Sequence, residues 1–241
     1  MRFASYLLFL GLWALRTASA DACNPQDLHG AYGLHLSGFA AVSGALTPAV
    51  VVGRLVFESG GKVTGESSAN FNGLLLGNPV TGQYEFTDDC TLTMVLQDTS
   101  GALQHFEGYG TTGANEIQLE QTDTAVAASG MMQRASDKCT VAALQGKWVM
   151  SVDATTTSLA VDPVRRRFSA RAVVSMDGSG GLQIGTGQDT AFGAYRMDEG
   201  CVVQFEIGNA HLRGVLVGKG NEIFAIQTDP TQLASVRFTA Q

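Results

Sequence analysis

The stretch from Gly82 to Leu96 reads GQYEFTDDCTLTMVL, and the stretch from Gly193 to Ile207 reads GAYRMDEGCVVQFEI. Three residues keep their places in both: Gly82, Tyr84 and Cys90 in the first, Gly193, Tyr195 and Cys201 in the second. An alternating run follows each cysteine. Leu92, Met94 and Leu96 share one face of the first run; Val203, Phe205 and Ile207 hold the same positions in the second. Period-two alternation is the pattern of a strand with one buried face. The chain therefore carries two copies of one β unit.

The repeat extends outward in both directions. Cys23-x4-Leu28-x-Gly30-x-Tyr32 matches Cys139-x4-Leu144-x-Gly146-x-Trp148, and Gly61-x3-Gly65 matches Gly181-x3-Gly185. Downstream, His105-x2-Gly108 matches His211-x2-Gly214. Asn115-Glu116-Ile117 and Gln121-Thr122-Asp123 return as Asn221-Glu222-Ile223 and Gln227-Thr228-Asp229. So many features in one order mark an internal duplication. The boundary falls between Arg134 and Lys138, giving copies at 21–136 and 137–241.

Beyond the two alternating runs, strands are expected in copy one near 31–38, 49–58, 62–69, 82–88, 103–110, 115–123 and 128–134. In copy two they are expected near 147–154, 168–176, 181–188, 191–197, 210–217, 221–228 and 233–239. Only 24–29 and 140–145 read as single helical turns. Eight short antiparallel strands per copy can close on themselves, leaving an interior that side chains fill or that holds one small ligand. The expected fold is all-β: two tandem small antiparallel β-barrels. A sandwich is the alternative. Ala49 to Phe57 and Ile223 to Ile226 are apolar on both faces, so one face can line a barrel while the other packs barrel against barrel. Copy one has extra residues at Asn70 to Pro79 and between Cys90 and His105. Copy two has extra residues at Asp153 to Phe168. These insertions read as loops, where copies of one scaffold diverge in task.

The N-terminal residues 1–20 read as a signal peptide. A short basic start leads into an apolar run from Phe3 to Leu15, and Ala18-Ser19-Ala20 offers small residues for cleavage. That run is too short to span a bilayer. A secreted or lumenal protein is expected, with no membrane attachment after cleavage. Loss of Arg2 and Arg16 reduces the 15 basic residues to 13 against 22 acidic ones, a net charge of −9. Such a chain repels phosphate backbones, so no nucleic-acid partner is expected. No Asn-x-Ser/Thr acceptor occurs in the sequence.

Four cysteines in an oxidising compartment point to disulfides. Spacing alone allows three pairings. The duplication favours Cys23–Cys90 and Cys139–Cys201, one per copy; a cross-copy pairing is the alternative.

Reaction chemistry is not overt. Gly108-Tyr109-Gly110-Thr111-Thr112-Gly113 spells a nucleotide-loop pattern, but the strand expected after it makes it a hairpin turn. Asp177-Gly178-Ser179-Gly180-Gly181 also reads as a turn. The four histidines, His29, His35, His105 and His211, show no metal-ligand spacing. No metal or other cofactor is expected. Arg165-Arg166-Arg167 is either a solvated loop or a processing site. His105, Glu107 and Tyr109 share one strand face; His211, Arg213 and Val215 hold the matching places. Facing inward, these would line the barrels with ligand-binding groups. Facing outward, they are solvated. Tyr32 and Trp148 either plug a barrel end or stack a ligand.

Taken together, Leu-x-Gly-x-Tyr/Trp, Gly-x3-Gly, Gly-x-Tyr-x5-Cys and Asn-Glu-Ile followed by Gln-Thr-Asp resemble a family of small secreted lipocalin-like (calycin) barrels. Its plan is similar to that of allene oxide cyclase. The resemblance covers nearly all of 22–241. It implies barrels that shelter a hydrophobic small molecule, and the plan includes cofactor-free cyclases. Secreted fungal hetero-Diels–Alderases of tropolone–terpenoid biosynthesis are similar in general build, without a shared catalytic motif, so no catalytic residue is carried over. The implied function is cyclisation of an apolar natural-product intermediate. A secreted carrier of a hydrophobic small molecule is the alternative, and a structural or interaction protein is the third reading.

Overall fold

The computed structural model describes residues 22–42, 44–156, 167–185, 190–230 and 232–241. The expected signal segment and the Arg165-Arg166 pair lie outside them. Eight strands form the first barrel: β1 (Gly30–Val42), β2 (Ala45–Glu58), β3 (Lys62–Phe71), β4 (Leu74–Phe86), β5 (Thr91–Asp98), β6 (Leu103–Gly110), β7 (Glu116–Gln121) and β8 (Val126–Arg134). Eight more form the second: β9 (Gly146–Thr156), β10 (Arg167–Met176), β11 (Gly181–Ile184), β12 (Ala191–Met197), β13 (Val202–Ile207), β14 (Ala210–Val217), β15 (Glu222–Gln227) and β16 (Gln232–Ala240). Every pairing is antiparallel between neighbours in sequence, and each barrel closes where its first strand meets its last, β1 with β8 and β9 with β16.

Inward glycines, most of them matched between the copies, explain the closure. Gly65, Gly82, Gly108 and Gly130 point inward where a neighbouring strand crosses closely. A Cβ there would fall on the carbonyl oxygens of Arg54, Val95, Gln118 and His35 respectively. Gly193 and Gly214 stand in the same relation to the Glu206 and Phe224 carbonyls in barrel two. Small barrels coil their strands tightly, and glycine is the residue that permits such backbone approach.

Both disulfides lie within copies, Cys23–Cys90 and Cys139–Cys201, and leave no free cysteine among the described residues. The GxGxxG stretch ends β6 and enters the β6–β7 turn, and Asp177 to Gly180 form the β10–β11 turn. The expected helical turns are short 3-10 turns at Pro25–Asp27 and Val141–Leu144.

One expectation is corrected. Asn70 to Pro79 is not a loop: it lengthens β3 and β4 into a hairpin, with Phe71 opposite Leu74 and Ala69 opposite Leu76. Its turn is Asn72-Gly73, both with positive φ, 53° and 101°. That is the two-residue hairpin turn that asparagine and glycine favour.

The barrels pack side by side. Val50 and Val52 on the outer face of β2 meet Val202, Val215, Val217, Phe224, Ile226 and Leu233 of barrel two. All six residues of β15 are buried, because its inner face fills barrel two and its outer face meets barrel one. Arg213 of β14 pairs with Glu66 of β3 across the seam. The interdomain segment is tied in as well, with the Ser136 N–H donating to the Leu216 carbonyl at 3.1 Å.

His35 sits in this seam. Its Nε2 hydrogen-bonds with Ser235 Oγ at 2.9 Å, and its ring lies 5.6 Å from that of Phe224. Burial, with the Arg237 charge second, lowers its pKa from 6.5 to about 4. The unfolded chain binds a proton that the folded seam refuses. The seam's stability is therefore whole above about pH 6.5 and is lost as pH falls toward 4. Over that window the wild-type protein should lose up to about 3 kcal/mol more than His35→Gln, whose amide keeps a bond to Ser235 without titrating. Urea unfolding of both proteins across the window checks this; parallel pH profiles would refute it.

Candidate functional site

The interior of barrel one divides into a plugged base and an open upper half. At the base, Tyr32, Phe57 and Tyr84 stack edge to face, with ring centroids 5.2 and 4.9 Å apart. The Tyr32 hydroxyl donates to the Ala114 carbonyl at 2.7 Å, and the Tyr84 hydroxyl reaches the Leu28 and Glu58 carbonyls. Burial pushes the Tyr32 phenol up to about 12, so it stays protonated. Arg134 lies over its ring, 5.0 Å from the centroid. The Cys23–Cys90 bond closes the same end.

Above this plug the inward residues become small. Ala49, Ser67, Ala69 and Ala128 leave a cavity of about 490 Å³. Leu34, Leu36, Leu96 and Phe106 line it from below, and Phe71, Leu74 and Leu76 of the long β3–β4 hairpin form one wall. The volume falls in the range of small-molecule sites, which are mostly apolar with a few polar groups. Here the polar groups are Ser67, Asn78, Asp98, Gln104 and Gln121. Asp98 caps its own turn, accepting from the Ser100 hydroxyl at 2.6 Å and from the Ser100 and Ala102 N–H groups. The Ser100 hydroxyl bond is the main reason its carboxyl is held below the usual range.

Two other recesses are surface clefts. One of about 780 Å³ lies between the turns at barrel one's base, near His29, Gly61 and Tyr84. Another of about 540 Å³ lies at the seam, among Glu116, Gln133, Arg134, Lys138, Lys219 and Glu222. The first lies beneath the aromatic plug, with Phe57, Tyr84 and Phe86 forming part of its wall, and the second lies outside both barrel interiors.

None of the seven sequence candidates lines that cavity. Tyr32 belongs to the plug below it. Trp148 plugs barrel two, where its indole N–H donates to the Leu144 carbonyl at 2.9 Å. His105, Glu107 and Tyr109 face outward, with Tyr109 70% exposed, because the other face of β6 carries Phe106 and the close-packed Gly108. His211 also faces solvent, and Arg213 serves the seam. The two histidines do share a role. His105 Nδ1 meets Asp123 at 2.6 Å, and His211 Nδ1 meets Asp229 at 2.7 Å. Each Asp also accepts the N–H of its histidine and the amide of Gln121 or Gln227. Burial alone would raise both carboxyls, but these bonds outweigh it and lower them. The repeated His and Gln-Thr-Asp are turn clamps.

Sequence reasoning passed over Asn78, Gln104 and the hairpin leucines. A signal existed for Gln104, which shares the inner face of β6 with Phe106 by simple alternation.

No protein-family model matches the chain, and no curated protein matches it in sequence. Among solved structures, a protein of unknown function of the DUF3598 family from Nostoc punctiforme is similar. It aligns over 90% of this chain and 97% of its own at 12% identity, with a TM-score of 0.24. Among the described residues no helix is long and apolar enough to cross a membrane. The two disulfides are compatible with an extracellular or lumenal protein.

Proposed function

We propose that the protein is a secreted binder of a hydrophobic small molecule, held in the upper half of barrel one. The observation that carries this reading is the change of side-chain size along one barrel, aromatic at the base and small above, which leaves a mostly apolar cavity over the plug. Burial of apolar ligand surface there contributes roughly 25 cal/mol per Å². The test is titration with Nile red, a neutral apolar fluorophore whose emission rises in dry surroundings. Binding is expected for the wild-type protein. Ala69→Phe, which fills the cavity from β3, is expected to weaken it by at least about tenfold while leaving the fold intact by circular dichroism. Equal binding by the variant would refute the reading.

A second reading is a cofactor-free cyclase of the hetero-Diels–Alder type. The observation in its favour is that the Asn78 and Gln104 carboxamides line the cavity. Such donors stabilise a carbonyl or quinone-methide oxygen as charge develops, and a closed apolar wall holds reacting ends together away from water. Incubation with candidate dienes and dienophiles, followed by chiral product analysis, separates the two readings. A carrier returns its ligand unchanged.

A further inference from the structure

We infer that the ligand of barrel one carries an uncharged hydrogen-bonding head, and that anionic amphiphiles such as fatty-acid carboxylates are rejected. This rests on the reading of the cavity as an apolar binding site and goes on to name the chemistry of its occupant.

Apart from the Ser67 hydroxyl on β3, which lies opposite Asn78, the polar groups of the cavity are confined to one arc. Asp98 lies opposite Val80, Gln104 lies opposite Leu96, and Gln121 lies opposite Phe106, so the arc runs along β4 to β7 at the mouth. Asn78 extends it by one inward position on β4. The opposite wall, built from β8, β1 and β2, is aliphatic. An occupant with an apolar body therefore finds hydrogen-bonding partners for its head on one side of the mouth only.

The arc holds no positive charge. Among the described residues, lysine, arginine and histidine are absent from the cavity lining. They are also absent from the sequence of the hairpins around the mouth, 39–47, 70–79, 97–104 and 121–127. Among the described residues the one charge in the lining is the Asp98 carboxylate, kept ionised by the hydrogen bonds of its turn. A carboxylate head brought to this arc loses hydration, gains no cation and faces a like charge; each of these disfavours binding. A hydroxyl, ketone or ester head faces carboxamides that donate and accept alike.

The experiment is competition for Nile red near neutral pH by decanol, methyl decanoate and decanoate, which share one chain length. Decanol and the ester are expected to displace the dye at least about tenfold more effectively than decanoate. Asp98→Asn retains an acceptor for the turn and should raise the effectiveness of decanoate relative to decanol several-fold. Replacing Asn78 and Gln104 together by leucine should remove the advantage of decanol over plain decane. Displacement by decanoate as effective as by decanol overturns the inference and leaves the cavity reading standing. Failure of Nile red to bind, or its binding equally to Ala69→Phe, removes both.

Discussion

Replacing Cys23 and Cys90 together by alanine is expected to destabilise the protein by about 4 kcal/mol. The bond closes a separation of 67 residues, and in the chain-entropy account a loop of that size leaves the unfolded chain much freer once cut. The native side loses as well. Cys23 tethers the segment that carries Leu28, fully buried beneath the Tyr84 hydroxyl, so the aromatic plug loses its floor. Backbone strain adds a second handle. Cys90 has φ 68° and its counterpart Cys201 has φ 63°, a region that side chains with a Cβ adopt reluctantly. Cys90→Gly should therefore be milder than Cys90→Ala, by roughly 1 kcal/mol, in a Cys23→Ala background. In a Tyr195→Phe background the remaining tyrosines after residue 20 all lie in barrel one, so urea unfolding followed by tyrosine near-ultraviolet dichroism reads that barrel. Trp148 is the one tryptophan between residues 21 and 241, and its fluorescence reads barrel two. The shared valine–phenylalanine seam should make both signals shift. A loss below about 1 kcal/mol would refute the chain-entropy account, and an unmoved Trp148 transition would show that the barrels unfold separately.

The duplication made most of the fold legible before any coordinates. Matched glycines, matched alternation and one cysteine pair per copy define two barrels, and the structure explains each as a strand crossing, an inner face or a staple. The two-faced runs at Ala49 to Phe57 and Ile223 to Ile226 likewise announced the seam. The candidate site was far less legible, for two physical reasons. First, alternation says that a strand has two faces but not which is inner when both carry chemistry. On β6 the titratable face looked more interesting, yet Phe106 and Gly108 fix the other as inner. Second, a cavity is made by what is small. Ala49, Ser67, Ala69 and Ala128 carry no motif, and their effect exists only once three strands bring them together. The polar repeat that did stand out, His with Gln-Thr-Asp, appears twice because both barrels need the same turn clamped.

Asn70 connects the two barrels to the cavity, and Asn70→Ala is expected to lower stability by about 3 kcal/mol and to weaken ligand binding with it. The side chain is fully buried. Its amide donates to the carbonyls of Gln227 and Gln232, at 3.1 and 3.0 Å, on either side of the β15–β16 turn. Its oxygen accepts the Gly73 N–H at 2.7 Å, at the tip of its own hairpin. Three backbone groups lose their partner at once in the alanine variant, and an unsatisfied buried group costs about 1–3 kcal/mol. The hairpin so pinned is the wall that places Phe71, Leu74 and Leu76 over the cavity. Barrel two thus acts as a buttress for the pocket of barrel one. Asn70→Asp distinguishes this account from simple loss of volume. The shapes match, and the Gly73 bond survives, but the carboxylate presents oxygen to two carbonyl oxygens and buries a charge without a partner. Asp should therefore be at least as damaging as Ala. A well-tolerated Asp, or an Ala variant that loosens the fold while binding Nile red as before, would show that the hairpin stands without its partner barrel.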